Sequence, residues 1–260
     1  MSDELLPVSP ADDDALWVRL RKLTAARIGL KRSGASLATA PLLAFQLAHA
    51  QARDAVHQPL DLEQLAADLA GFGLPVLDVA SKVEDTQTYL MRPDLGRTLA
   101  PDAAVRLAPQ TGACDLSIVI TGGLSARAVQ SHAAPVLKAL LPLLRKESWR
   151  IAPLVLVRYG RVAIGDAIAG ALNADIALVL IGERPGLSAP DSMGVYLTWQ
   201  PGADTTDADR NCISNIRPEG IGYADAAFKI GHLLKAMRER RLSGIRLKDD
   251  SDRLLLGSTD

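Results

Sequence analysis

The sequence predicts an α/β fold, and two observations carry that prediction. Upstream of about residue 111 the apolar residues recur at helical spacing, whereas downstream short, near-continuous apolar runs alternate with amphipathic segments. Those runs are Leu116-Ser117-Ile118-Val119-Ile120, Leu154-Val155-Leu156-Val157 and residues 176–181, all reading as strands buried on both faces. Strands linked by crossover helices must lie parallel, through right-handed connections. The expectation is a C-terminal Rossmann-like, mostly parallel sheet with flanking helices over residues 111–245. A smaller, mainly helical N-terminal region precedes it over residues 13–110, with a flexible acidic arm at 1–12 and a flexible tail at 246–260.

The elements follow in order. Asp12, Asp13 and Asp14 offer N-caps for a helix that sets Leu16, Leu20, Leu23 and Arg27 on one broad face. Ser33-Gly34-Ala35-Ser36 breaks it, and Thr39 caps a second helix with Pro41 in its first turn and a stripe of Leu42, Phe45, Ala48 and Ala52. A shorter helix runs from about Leu62 to Gly71 or Gly73, followed by a single strand around residues 76–79. In the second region, Thr121-Gly122-Gly123 turns the first strand into a long amphipathic helix from about Ser125 to Arg145. The second strand leads to a short helix near residues 164–172, and residues 195–199 add a strand at an edge. The last helix, roughly residues 223–242, stops at Ser243-Gly244, where glycine suits the position after a helix end.

Composition narrows the function. The 260-residue chain is 48% hydrophobic and 23% charged, with Lys+Arg 29 against Asp+Glu 30. A formal net charge of -1 argues against a nucleic-acid binder, which would carry a basic excess or stripe. The apolar runs are too short to span a bilayer, and the start lacks the basic and apolar parts of a secretory signal. Two cysteines, Cys114 and Cys212, cannot build a disulfide framework and read as reduced thiols of a cytoplasmic protein. Gly71-Phe72-Gly73 follows a helix and lacks a third glycine, and neither a phosphate loop nor a nucleophile elbow is present. His49, His57, His132 and His232 lie at non-ligand spacing, so no metal site and no catalytic residue is assigned.

Four blocks carry binding chemistry. Thr121-Gly122-Gly123-Leu124-Ser125 joins strand to helix, either as a close-approach loop for a polar ligand or as a tight turn and nothing more. Arg158-Tyr159-Gly160-Arg161-Val162 places two guanidinium groups and a phenol at a strand's carboxyl end. Glu183, right after the third apolar run, can only accept hydrogen bonds, so it suits a ligand with amide or hydroxyl donors. It equally suits a structural pair with Arg184. Cys212 sits among Asp209, Arg210, Asn211, Ser214 and Asn215 with no histidine near in sequence, which favours packing over nucleophilic catalysis. Polar, turn-forming blocks set against apolar runs suggest one crevice at the strands' carboxyl ends.

These blocks, with Tyr89-Leu90-Met91-Arg92-Pro93-Asp94-Leu95-Gly96-Arg97, Gly182-Glu183-Arg184-Pro185-Gly186 and Asp204-Thr205-Thr206 through Asp209-Arg210, occur in an order that resembles one family. That family is the small (light) subunit of adenosylcobalamin-dependent ethanolamine ammonia-lyase, and the resemblance covers roughly residues 15–245. It implies a partner, a large barrel-type subunit present in equal number in a hetero-oligomer, with adenosylcobalamin held between the two. The holoenzyme would convert ethanolamine to acetaldehyde and ammonia by a radical route, with catalytic residues on the large subunit and no nucleic acid or membrane as partner. Carried over by motif, cofactor contacts fall on Val162, Glu183 and Cys212, with Arg161, Arg184, Ser214 and Asn215 as further candidates. Some family members carry a long N-terminal extension linked to enclosure in a bacterial microcompartment; here the arm is short, and both locations stay open. Read from residues alone, two alternatives remain: a stand-alone nucleotide-binding α/β enzyme, and a non-catalytic structural subunit of a larger enzyme.

Overall fold

The computed structural model describes residues 10–251, so residues 1–9 of the acidic arm and residues 252–260 of the tail lie outside the description. The first helix, α1, spans Pro10–Leu20, so Asp12 to Asp14 fall inside it rather than capping it. Leu23 lies beyond its end and is 83% exposed. Arg27 also leaves the expected face: its guanidinium donates to the Leu187 carbonyl at 3.1 Å, tying the N-terminal segment to a loop of the second region. The Ser33 to Ser36 break is a small hairpin, β1 (Arg32–Ser33) and β2 (Ser36–Leu37). Helix α2 (Thr39–His57) begins at Thr39 itself, with Ala38 at the cap position. Of its 19 residues only Ala48 and Ala55 are buried. Leu42, Leu43, Phe45 and Leu47 are all exposed, so of the expected stripe only Ala48 is buried among the described residues.

Helix α3 (Leu62–Leu69) starts where expected because Asp61 accepts the Gln64 amide at 2.9 Å. Strand β3 (Val76–Ala80), helix α4 (Thr86–Met91) and helix α5 (Pro101–Leu107) complete the first region. The second contains β4 (Cys114–Thr121), α6 (Ala126–Lys146), β5 (Leu154–Arg158), α7 (Ile164–Leu172), β6 (Ala174–Gly182), β7 (Met193–Trp199), β8 (Arg210–Ile216) and α8 (Tyr223–Arg240). The six long strands form one mixed sheet in the order β3-β5-β4-β6-β7-β8. Neighbours from β3 to β6 are parallel, and β7 runs antiparallel to both β6 and β8.

Three expectations change here. The lone strand of the helical region pairs with β5, so the 13–110 region contributes an edge to the sheet of the 111–245 region. Residues 195–199 belong to β7, which lies inside the sheet and not at its edge. The block around Cys212 is strand β8, not a turn. Its polar residues conceal it because an edge strand faces solvent along most of its length, and only Arg210, Ile213 and Ile216 are buried. The start of the tail also docks: Leu247 is 2% exposed, and Asn211 Nδ2 donates to its carbonyl at 2.7 Å.

Alternation along the strands splits the core in two. Leu116, Ile118 and Ile120 of β4 face α6, α8 and α3, while Val119, Val155, Val157 and Val179 face α5 and α7. The chain leaves β4 through α6 on one face to reach β5, then crosses through α7 on the other face to reach β6. The winding direction therefore reverses between β4 and β6. In open α/β sheets such a switch point opens a ligand crevice.

Candidate functional site

The crevice lies at that switch point. Tyr89, Gly123, Leu124, Arg161, Val162, Ile181, Gly182, Glu183, Arg184 and Tyr196 enclose about 430 Å³. Five of the predicted positions, Gly123, Arg161, Val162, Glu183 and Arg184, thus converge from three separate loops. Gly123 has φ +59, and a Cβ there would run into the Gly182 carbonyl oxygen, while one on Gly182 would strike the Ser125 and Gly122 carbonyls. The glycines serve first to bring the ends of β4 and β6 into backbone contact, sealed by Leu124 N–H to Gly182 O at 3.0 Å. Thr121, fully buried, donates its hydroxyl to Val157 O at 3.0 Å and accepts the Gly160 amide at 3.0 Å, which fixes the loop after β5.

Glu183 is held from within the protein. Its carboxylate accepts from the Ser192 hydroxyl, from the Ser214 hydroxyl at 2.5 Å and from the Asn215 amide at 3.1 Å. Asn215 turns that amide inward by adopting φ +60, a conformation asparagine tolerates better than most residues. Arg184 is exposed and makes no ion pair with Glu183 among the described residues, so the structural pair considered from sequence does not form. Three donors leave the half-buried carboxylate with acceptor capacity to spare. Ser214 and Asn215 therefore meet the site through Glu183 rather than by lining the crevice. Sequence reading had no means of adding Ser192, a lone serine in a loop.

Cys212 stands opposite Tyr196 across the β7–β8 ladder. Solvent reaches its side chain, yet crowding around the sulfur raises its pKa, through desolvation first and then the Glu183 charge, against a hydrogen bond from Tyr196. A raised pKa leaves little thiolate near neutrality, which fits packing and not nucleophilic attack. Tyr196 is itself shifted upward, by desolvation first and then by Cys212. Its phenol stays protonated as part of the crevice wall.

Arg161 and Val162 part company in role. Arg161 donates its guanidinium to Tyr89 O at 2.7 Å, lies 4.0 Å above the Tyr89 ring, and donates its own backbone amide to Gly96 O at 2.7 Å. Tyr89 in turn donates to Gly160 O at 3.2 Å, and burial pushes its phenol up to about 12 despite Arg161. The Tyr89 to Arg97 string and the Arg158 to Val162 block, far apart in sequence, are thus one structural unit. Val162 is left as an apolar surface in the crevice. Arg210 belongs to the scaffold: it forks onto Asp166 with two bonds of 2.7 Å and is 8% exposed. Among the described residues, no group of His, Cys, Asp or Glu could hold a metal ion, and no helix is long and apolar enough to cross a membrane.

Fold and site together define a class: an α/β protein that offers an open ligand crevice at the carboxyl edge of its sheet. The family model described as Ethanolamine ammonia-lyase light chain (EutC) matches residues 14–248. A protein of Azotobacter vinelandii (strain DJ / ATCC BAA-1303) named ethanolamine ammonia-lyase small subunit is 53% identical, over 94% of this chain and 92% of its own length. The proteins of that name from Xanthomonas campestris pv. campestris (strain B100) and Pseudomonas aeruginosa (strain LESB58) are 51% and 48% identical, each over 97% of this chain and 93% of their own. The chain belongs to the ethanolamine ammonia-lyase light chain family.

Proposed function

We propose that this chain is the small subunit of an ethanolamine ammonia-lyase, a lyase that deaminates ethanolamine, and that its crevice holds adenosylcobalamin together with a large subunit. The single observation that carries the cofactor assignment is the convergence of Val162, Glu183 and the Gly122–Gly123 turn at one switch point. A corrin ring is a broad apolar plate fringed with amide side chains. Val162, Leu124, Ile181 and the Tyr196 ring offer an apolar wall, and Glu183 offers the spare acceptor such amides need. Cys212 extends that wall along β8, while Arg184 at the exposed rim is suited to amide carbonyls. Arg161, Ser214 and Asn215 hold neighbouring parts in place. The residues fit the group.

When bound, adenosylcobalamin supplies the radical chemistry of the deamination. This chain's residues bind, orient and shield it. The crevice is open, and an open surface covers only part of a ligand that size, so the remainder falls to the large subunit. Substrate handling falls to that subunit as well: among the described residues no paired acid and base faces the crevice. The parallel strands β3 to β6 with α6 and α7 on opposite faces are read as a Rossmann-like unit. The complex is read as a cytoplasmic hetero-oligomer with equal numbers of the two subunits, free or inside a microcompartment.

The test is reconstitution. Purified chain and purified large subunit are mixed with adenosylcobalamin, alone and together, and both the retained cobalamin absorption and ethanolamine turnover are measured. Both signals should require both chains. Turnover by this chain alone, after stringent removal of copurifying partner, overturns the division of labour.

A further inference from the structure

Two chain segments grip the Glu183 carboxylate, and they are not equally fixed. Ser192 is 6% exposed and tied to the end of β6 by its own carbonyl, which accepts the Glu183 amide at 2.9 Å. The loop ahead of it is pinned as well, because Ser125 donates its hydroxyl to the Pro190 carbonyl at 2.9 Å. Ser214 and Asn215 stand on β8, where the ladder to β7 is broken. Val195 pairs with Ile213 and Met193 with Ile216, so Ser214 and Asn215 together face the single residue Gly194. Such a bulge interrupts the ladder bonds that would otherwise set the spacing of two strands. The Glu183 carboxylate lies over this gap: a Cβ on Gly194 would come within 3.0 Å of its Oε1. Backbone pairing therefore fixes Ser192 but leaves the two β8 donors in need of another restraint.

An ion pair closes the two segments just past the bulge. Arg217, the residue after β8, donates to the Asp191 carboxylate at 3.0 Å, and their side chains are 12% and 25% exposed. Glu219 also approaches Arg217, at 3.6 Å, but its side chain is 69% exposed, and a pair so open to water is worth little. The Arg217 amide donates to the Ile221 carbonyl at 3.2 Å, which steadies the turn from which the guanidinium reaches back. Neither Arg217 nor Asp191 lines the crevice, so both act on it through other side chains. We propose that Asp191 and Arg217 are positioning residues for cofactor retention: they hold the end of β8 so that Ser214 and Asn215 keep the Glu183 carboxylate aimed at the crevice. This deepens the cobalamin reading above and rests on it. The contact is one guanidinium nitrogen on one carboxylate oxygen, so a lysine at the same position can stand in for the arginine.

Coupling to Glu183 separates positioning from general support of the fold. Binding of cyanocobalamin to the complex of both subunits is measured by calorimetry for Arg217→Met, Asp191→Asn and Arg217→Lys. Each is made with Glu183 in place and in a Glu183→Ala background, and urea unfolding of every chain is followed in parallel. Arg217→Met and Asp191→Asn should each weaken binding by roughly five- to tenfold with Glu183 present and by less than about twofold without it, because residues acting through one network are not additive. Arg217→Lys should recover most of the loss. If Arg217→Met does not assemble, Asp191→Asn, which keeps the side chain's shape, carries the same comparison. An equal loss in both backgrounds, no loss in either, or an Arg217→Lys chain as stable as wild type that still binds as weakly as Arg217→Met overturns the positioning role and leaves the cobalamin reading intact. Failure of the wild-type complex to bind cyanocobalamin, or a Glu183→Ala complex that binds it as tightly as wild type, overturns that reading or the part of Glu183 in it, and the positioning role with it.

Discussion

The hydroxyl of Ser214 donates to the carboxylate of Glu183 at 2.5 Å, fastening the end of β8 to the end of β6 across the tip of β7. With the Asn215 amide on the other oxygen, this makes the residue proposed to meet the cofactor also a clasp for the sheet's edge. Binding and folding therefore share one side chain.

The first prediction follows from that sharing. Glu183→Ala should lower stability by about 1–2 kcal/mol, the net worth of partly exposed hydrogen bonds, and should also weaken cobalamin retention in the complex by more than that. Glu183→Gln should not rescue either, because its amide nitrogen would face donors on Ser214 and Asn215. Urea unfolding of the chain and retained cobalamin after gel filtration of the complex give the two readouts. A Glu183→Ala complex that keeps its cobalamin while the chain is destabilised makes Glu183 a structural residue.

Arg210 and Asp166 should behave as a buried pair. Their side chains are 3% and 13% exposed, and Arg210 also donates to Thr198 Oγ1 at 3.1 Å. Removing one partner strands the other, so Arg210→Ala should cost about 3–5 kcal/mol. Arg210→Lys should recover little, since an ammonium cannot make the two-pronged contact. Thermal unfolding of the single variants and of Arg210→Met with Asp166→Leu tests this, the double variant being the less damaged. Equal stability of Arg210→Ala and wild type would sink the idea.

His132 gives a pH signature. It is 4% exposed, its Nδ1 lies 2.9 Å from the Tyr223 hydroxyl, and burial lowers its pKa below 6.5, with Asp191 pulling the other way. Between the folded pKa and 6.5 the unfolded chain binds the extra proton, so stability is fully present above about pH 6.5 and falls as pH drops below it. Unfolding midpoints from pH 7.5 down to about 5 should decline more steeply for wild type than for His132→Gln. Parallel curves for the two would remove His132 from the account.

Helix α2 should be labile in the isolated chain and protected in the complex. It runs 19 residues yet buries only two alanines, while Leu43 and Leu47 are 58% and 61% exposed. Helices stand mainly on tertiary packing of an apolar face, and here the chain offers little. The large subunit is the expected cover, because Val56 in the helix's last turn lines a hollow beside the crevice. Amide exchange of residues 40–50 should slow strongly on mixing with that subunit. Exchange already slow in the monomeric chain, or unchanged in the complex, contradicts this.

None of His49, His57, His132 or His232 lines the crevice. This chain should therefore supply no ligand to cobalt, and the cofactor should keep its own benzimidazole. Electron paramagnetic resonance of the cob(II)alamin state, with histidine-specific nitrogen-15 labelling of this subunit only, should leave the superhyperfine splitting unchanged. A changed splitting assigns an axial histidine to this chain.

Much of the architecture was legible because burial on both faces writes itself into sequence. The runs at β4, β5 and β6 are nearly pure hydrocarbon, and glycines mark where β4 and β6 end, so their parallel order and common edge could be read in advance. Gly123 and Glu183 were legible for the same reason, being turn-forming or polar residues just past those runs, whereas Val162 was singled out only through the family resemblance. Strand β8 was not, since an edge strand with one solvated side has the composition of a loop. The placement of β7 inside the sheet was missed because pairing partners leave no local trace.

The sequence by itself determined the α/β class, the switch from helical to strand periodicity, the position of the ligand edge and the family resemblance, all of which depend on local pattern or on ordered strings. Only the tertiary structure decided which arginine of the Arg158 and Arg161 pair is free, since that turns on Tyr89 folding back from a distant helix to occupy one of them. It also decided that Glu183 is gripped by Ser192, Ser214 and Asn215 rather than by its neighbour Arg184. A side chain's partner is set by what the fold brings within hydrogen-bonding reach, and residues adjacent along a strand end point to different sides of the sheet.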